Sequence, residues 1–179
     1  MGQTYTDNGI VIRSVDSGEA DKYILIISEN HGLGSFVARG ARRLTSRKAP
    51  HLDLFNLVRF SVGRGDNPRY LNQVESSVYF PGLKKDFAKV GLSLVFAEIL
   101  TNTLPLDVED REIYLSFKAF LEGLELTQTS QETNRLGRRF GLFFMRHLGY
   151  PPPKSPKTDV LSGYFEAMMN RKIISKEIR

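Results

Sequence analysis

The chain has 179 residues, 41% of them hydrophobic and 12 of them Phe, enough for a packed core in one large domain or two small ones. With no Cys and three scattered His it offers no disulfide and little to a metal site, and no apolar run reaches the roughly 20 residues of a membrane helix. A net charge of +5 favours anionic partners, and a start without the basic-then-apolar layout of a secretion signal points to a cytoplasmic protein without membrane contact.

Residues 9–15, Gly-Ile-Val-Ile-Arg-Ser-Val, alternate apolar and polar with β-branched residues at the apolar positions, which predicts a half-buried first strand. Tyr23–Ser28 is a continuous apolar run of strand length, as expected for a strand covered on both faces. Asn30-His-Gly-Leu-Gly34 reads as a hairpin with glycines at positive φ. The third strand, Ser35–Arg39, should carry Phe36 and Ala38 on one side and Val37 and Arg39 on the other. A fourth strand is expected over Leu54–Val62 and, after the turn residues Gly63–Pro68, a fifth from Tyr70 to Val74 or a little beyond. Five short strands joined by turns describe a small barrel, OB-type first and SH3-like as the alternative.

Between the third and fourth strands the chain turns basic. Arg39, Arg42, Arg43, Arg47 and Lys48 fall within ten residues, and no Asp or Glu occurs between Glu29 and Asp53. Arginine presents a planar, permanently charged fork suited to phosphate, so the cluster suits a polyanion; a merely solvated loop is the plain alternative. Arg13, Arg64 and Arg69 are further basic candidates on this half. Phe36 and Tyr70 are the aromatics near the cluster, Phe36 reading as core and Tyr70 as a candidate stacking platform.

At Phe80-Pro-Gly82 the period changes from two to helical, which divides the chain into an N-terminal domain, 1–80, and a small all-helical domain, 81–179, an α+β arrangement. Leu83, Phe87, Val90, Leu94, Ala97, Leu100 and Leu104 form one apolar stripe ended by Pro105. Asp107 is the expected N-cap of a second helix burying Ile113, Phe117, Phe120, Leu121 and Leu124, and 127–133 read as a loop. The third helix, Asn134–Leu148, should turn Leu136, Phe140, Phe143, Phe144 and Leu148 inward and leave Arg135, Arg138, Arg139 and Arg146 elsewhere, as for a second positive surface, with Gly149 as cap. A last helix opened by Asp159 carries Leu161, Tyr164, Phe165 and Met168, and the chain ends in a basic tail with an apolar row. No nucleophile elbow accompanies the histidines, and Gly32-Leu-Gly34 lacks the Gly-Lys-Ser/Thr of a phosphate loop, so no enzyme activity and no cofactor are expected.

With these residues in view, the chain resembles the bacterial recombination mediator RecO. The likeness runs from Gly9-Ile-Val-Ile-Arg13 through Ser17–Lys22, His31-Gly32 and Val37-Ala-Arg-Gly-Ala-Arg-Arg43 to Gly65-Asp66, Phe80–Leu83, Arg139–Pro152 and Lys172–Lys176. It implies an N-terminal OB barrel on a helical body, with binding of single- and double-stranded DNA and annealing of complementary strands without ATP. It also implies a RecR-like partner, contact with the acidic, Phe-ended tail of single-stranded-DNA-binding protein, and indirect help to the RecA recombinase. The tail is expected at Lys172, Ile173, Ile174 and Lys176, where apolar residues are ringed by positive charge. Many members carry a four-Cys zinc element after the Gly-Tyr-Pro-Pro segment; here Pro153–Thr158 leads directly to the last helix. Read from residues alone, an RNA-binding OB module and a helical protein-contact adaptor remain open beside the DNA reading.

Overall fold

The computed structural model describes residues 4–63, 69–151 and 158–177, with side chains except at 158–161 and 176–177. The chain divides into two compact units, Met1–Tyr79 with Pro105–Leu115, and Phe80–Leu104 with Ser116–Arg179. Among the described residues no helix is long and apolar enough to cross a membrane.

The first unit is built on β1 (Thr4–Ser17), β2 (Asp21–Ser28), β3 (Gly32–Ala38), β4 (Leu57–Gly63) and β5 (Leu71–Val78). They form one antiparallel sheet in the order β3-β2-β1-β4-β5. β1 is much longer than the alternation at 9–15 suggested because it serves two neighbours. Thr4–Ile10 pairs with β4 and Gly9–Ser17 with β2, with an irregularity between Val11 and Arg13. The backbone groups freed there are not wasted: Val11 N–H donates to the Asn56 carbonyl and Phe55 N–H to the Val11 carbonyl.

The OB-type reading holds, but the sheet is not closed. Among the described residues its two edges meet at one parallel bridge, from Val37 of β3 to Tyr70, the residue before β5. The core lies inside this curl, with Val11, Ile24, Ile26, Phe36, Val58, Phe60, Val62 and Leu71 packed together. β2 is buried from Ile24 to Ser28, as its unbroken apolar run requires.

Two strand details differ from expectation. Residues 54–56 are a turn rather than strand, and Phe55 is buried there at a φ of 66°. Gly34 sits within β3, where a Cβ would meet the Phe36 ring at 2.5 Å, so only Gly32 supplies the positive φ of the hairpin. β5 continues past Val74 to Val78.

Pro105–Leu115 belongs with the strands because Leu106 bridges Leu33 in parallel and Asp107 N–H donates to the Leu33 carbonyl at 2.9 Å. Asp107 is therefore not a helix cap. It has a φ of 61°, and Asp110 accepts from Ile113 N–H in the capping role instead.

The second unit holds α1 (Pro81–Lys85), α2 (Phe87–Thr103), most of α3 (Arg111–Leu126), α4 (Ser130–His147), α5 (Thr158–Met169) and a final 3-10 turn, Ile174–Glu177. The single stripe expected from Leu83 to Leu104 is broken at Asp86. That residue is extended, and its carboxylate accepts from Ala88 and Lys89 N–H to start α2 anew, leaving Phe87 93% exposed. α1 is capped from a distance, because Glu125 accepts from Gly82 and Leu83 N–H at 2.9 and 2.7 Å. α4 begins four residues before Asn134 because Thr129 and Glu132 form a capping box. An aromatic cluster of Phe96, Phe117, Phe120, Phe140, Phe144 and Phe165 fills the core. Tyr164 is about half exposed rather than inward, and the expected roles of Asp159 and Leu161 lie outside the described side chains.

Gly32 and Gly18 have nearly equal positive φ, 67° and 60°, but a Cβ on Gly32 would lie 1.8 Å from the Val108 carbonyl oxygen whereas one on Gly18 meets nothing. Gly18→Ala should cost about 1 kcal/mol for backbone strain alone. Gly32→Ala should cost at least about 2 kcal/mol more, read from urea unfolding of the two variants side by side.

Candidate nucleic-acid interface

The basic loop leaves β3 at Arg39 and returns to the sheet at Leu57. Ala41 and Leu52 from it join the sheet core, and its backbone is tied down on both sides. Gly40 N–H donates to Asp21 at 2.8 Å and Arg42 N–H to the Ala20 carbonyl at 2.9 Å. The Arg43 and Ser46 amides close turns onto Gly40 and Arg43, and Ser46 Oγ accepts from the Lys48 and Ala49 amides. Such a loop presents its charges in fixed places.

The expected cations separate into two groups. Arg42 is turned back on its own domain, ion-paired with Asp16 at 3.0 Å and donating to the Gly18 and Glu19 carbonyls at 2.7 and 3.2 Å. Lys48 donates to the Leu71 carbonyl of β5 at 2.6 Å, and burial lowers its pKa against the opposing pull of Asp21. Arg69 is paired with Asp107 at 2.7 Å and lies over the Phe36 ring, so its charge is neutralised locally. These three hold the structure together.

Arg39, Arg43 and Arg47 stay exposed, and none has a carboxylate within ion-pair distance among the described residues. Arg39 lies flat over Tyr70, its guanidinium carbon 3.7 Å from the ring centroid. Tyr70 thereby holds Arg39 in place, while Phe36 is core, 2% exposed. Arg13 is exposed on β1, and Arg64 lies outside the described residues.

In the second unit the four arginines expected on the outer side of the helix, Arg135, Arg138, Arg139 and Arg146, all lie on α4. These four rim a groove of about 550 Å³ on α4 that also exposes Leu142 and Phe143. A shallower continuation of about 420 Å³ reaches Leu126 and Leu136. No carboxylate pairs with any of the four arginines among the described residues.

Residues 1–80 match the family described as Recombination protein O N terminal. The chain is 29% identical over 131 residues to the DNA repair protein RecO of Gloeothece citriformis, covering 73% of this chain and 46% of the relative. It is 36% identical over 107 residues to the same-named protein of Cutibacterium acnes, covering 59% and 44%, and 30% identical over 148 residues to that of Rubrobacter xylanophilus, covering 83% and 58%. The chain is thus similar to RecO proteins over most of its length, and its first 80 residues match the family's N-terminal model. It spans about half the length of the curated RecO relatives it matches.

The RecO-derived expectation of a tail site at the C-terminus meets a different geometry. Ile173 is 2% exposed and belongs to the core, Ile174 is 60% exposed, Lys172 is exposed, and the Lys176 side chain lies outside the described ones. This segment is latched rather than open. Glu98 on α2 accepts from the Ile174 and Ser175 amides at 3.0 and 2.9 Å and from Ser175 Oγ, while Arg171 donates to Asn102. Phe143, expected to face inward by its spacing, instead lies half-exposed beside Leu142 between arginines one turn apart, and the groove on α4 follows from that difference.

Burial alone would raise the Glu98 pKa, but hydrogen bonds from Ser175 and Ile174 and the charge of Arg171 outweigh it and leave the carboxyl lowered. A carboxyl lowered on folding stabilises the latch above its ordinary value near 4.5, and that contribution is lost as pH falls through the folded value. Amide exchange at Ile174 and Ser175 should therefore accelerate below that window, and Glu98→Gln should give the fast exchange already at pH 7.

Proposed function

We propose that this chain is a non-enzymatic DNA-binding protein of recombinational repair that binds single- and double-stranded DNA and pairs complementary strands. The observation that carries the reading is the division within the basic loop: Arg42 and Lys48 brace it to the OB sheet, and Arg39, Arg43 and Arg47 stand exposed without acidic partners. Fixed arginines beside a stacking surface are what a phosphate backbone with splayed bases needs, and the binding energy comes largely from released counterions. The relatives' name, DNA repair protein RecO, supports the same class of work. Help to RecA and contact with a RecR-like protein are parts of the proposal that rest on the similarity to RecO proteins. An RNA target is separated from DNA by competition between matched oligomers, since phosphate contacts read neither sugar nor base.

A single partner reading has its own observation. The α4 groove combines an apolar floor, Leu142 and Phe143, with the rim of Arg135, Arg138, Arg139 and Arg146, which suits the acidic, Phe-ended tail of single-stranded-DNA-binding protein better than the latched C-terminal turn does. Arg138→Glu with Arg139→Glu should abolish calorimetric binding of such a peptide, whereas Lys172→Glu should leave it within about twofold.

Replacing Arg39, Arg43 and Arg47 together by Ala should weaken binding of a single-stranded oligonucleotide and flatten the dependence of log affinity on log salt by about two to three units, near one for each phosphate that is no longer neutralised. Arg42→Ala should instead lower thermal stability, because it removes the brace to Asp16 and two carbonyls. Wild-type affinity and slope in the folded triple variant would sink the assignment.

A further inference from the structure

Register sets two polar rows side by side across three strands. Thr6 lies opposite Ser61 and Ser61 opposite Gln73; in the next row Asn8 lies opposite Arg59 and Arg59 opposite Glu75. The intervening Phe60 and Val74 belong to the core cluster, so these rows occupy the outer face of the sheet. Arg47 from the basic loop and His51 from the 3-10 turn Ala49–His51 complete a trough of about 550 Å³ over Arg59, Gln73 and Glu75, within the range of ligand sites. His51 is fixed there: Ser76 N–H donates to its Nδ1 at 3.1 Å, and Asn56 donates to its carbonyl at 3.2 Å. With Nδ1 accepting, Nε2 is left as the donor nitrogen of the ring.

We infer that this trough seats an unpaired nucleobase of a single strand while Arg47 and Arg59 hold the flanking phosphates. The inference rests on the nucleic-acid reading of the basic loop and extends it to a second face and to the base itself. A bare phosphate seat would exclude Glu75, whose carboxylate repels an anion. A base edge carries both donors and acceptors, and the trough answers with both: the Gln73 amide, the His51 Nε2–H and the Glu75 carboxylate. A carboxylate in this position accepts from an exocyclic amino group, as on cytosine. The Watson–Crick edge, which presents donor and acceptor together, is free only in unpaired strands.

The test compares a single-stranded dC tract with an abasic tract of equal length and charge, at fixed salt. Wild type should bind the dC tract about tenfold more tightly, as expected for base recognition added to equal phosphate binding. Gln73→Ala with Glu75→Ala, both on exposed positions, should bring the two affinities together with an unchanged melting curve, whereas Arg43→Ala should weaken both tracts alike. Equal wild-type affinity for the two tracts, or discrimination that survives in the double variant, overturns the base seat while leaving the basic-loop reading intact. Failure to bind either tract removes both readings.

Discussion

One strand hydrogen-bonded to two partners in succession is the constraint on which the first unit depends. β1 holds β4 with its first half and β2 with its second, and the irregularity near Ile12 lets a single extended segment bend between them. Were β1 straight, the sheet would not curl far enough for Val37 to reach Tyr70. The bend is held by Phe55 and Asn56, which sit at the far end of the basic loop. The loop that carries the exposed arginines is thus also the segment that fixes the curvature of the sheet beneath it.

Charge on this surface divides by neighbours rather than by sequence distance. Arg42 and Arg43 are adjacent, yet Arg42 meets Asp16 and two carbonyls while Arg43 meets solvent. An exposed ion pair of this sort contributes little by itself, on the order of 0–1 kcal/mol. Its larger effect is conformational, because a guanidinium held by three acceptors cannot also swing out to a ligand. Counting basic residues in the loop therefore overstates the charge available to a polyanion, and Arg59, which stands outside the loop, partly restores it.

Much of the fold was legible because it rests on local periodicity. The unbroken apolar run at Tyr23–Ser28, the alternation around Phe36, and the spacing of Ile113, Phe117, Phe120, Leu121 and Leu124 each report burial directly, and the buried residues follow. What was not legible depends on partners distant in sequence. Thr4–Asn8 become strand through β4, some fifty residues later, and Asp107 is drawn from a helix cap into the sheet by Leu33 and Arg69. Asp86 broke a stripe that hydrophobic spacing alone had joined, since a cap leaves no mark on periodicity. The α4 capping box at Thr129 and Glu132 was readable in principle, as the spacing is a local signal. At the candidate site the arginines could be read, but their sorting into braces and free charges needed the acceptors at Asp16, Leu71 and Asp107.

The braces have a consequence for how other chains can approach. A sheet that stops short of closure leaves two edges, each a template for a foreign strand. Here β3 is met at Val37 by the Arg69 carbonyl and at Leu33 by the Asp107 amide. On β5, Lys48 occupies the Leu71 carbonyl and the His51 ring occupies the Ser76 amide. Side chains of the basic loop thus act as stoppers along an otherwise sticky border. A visiting polypeptide is denied backbone pairing at these points and must be recognised by its side chains.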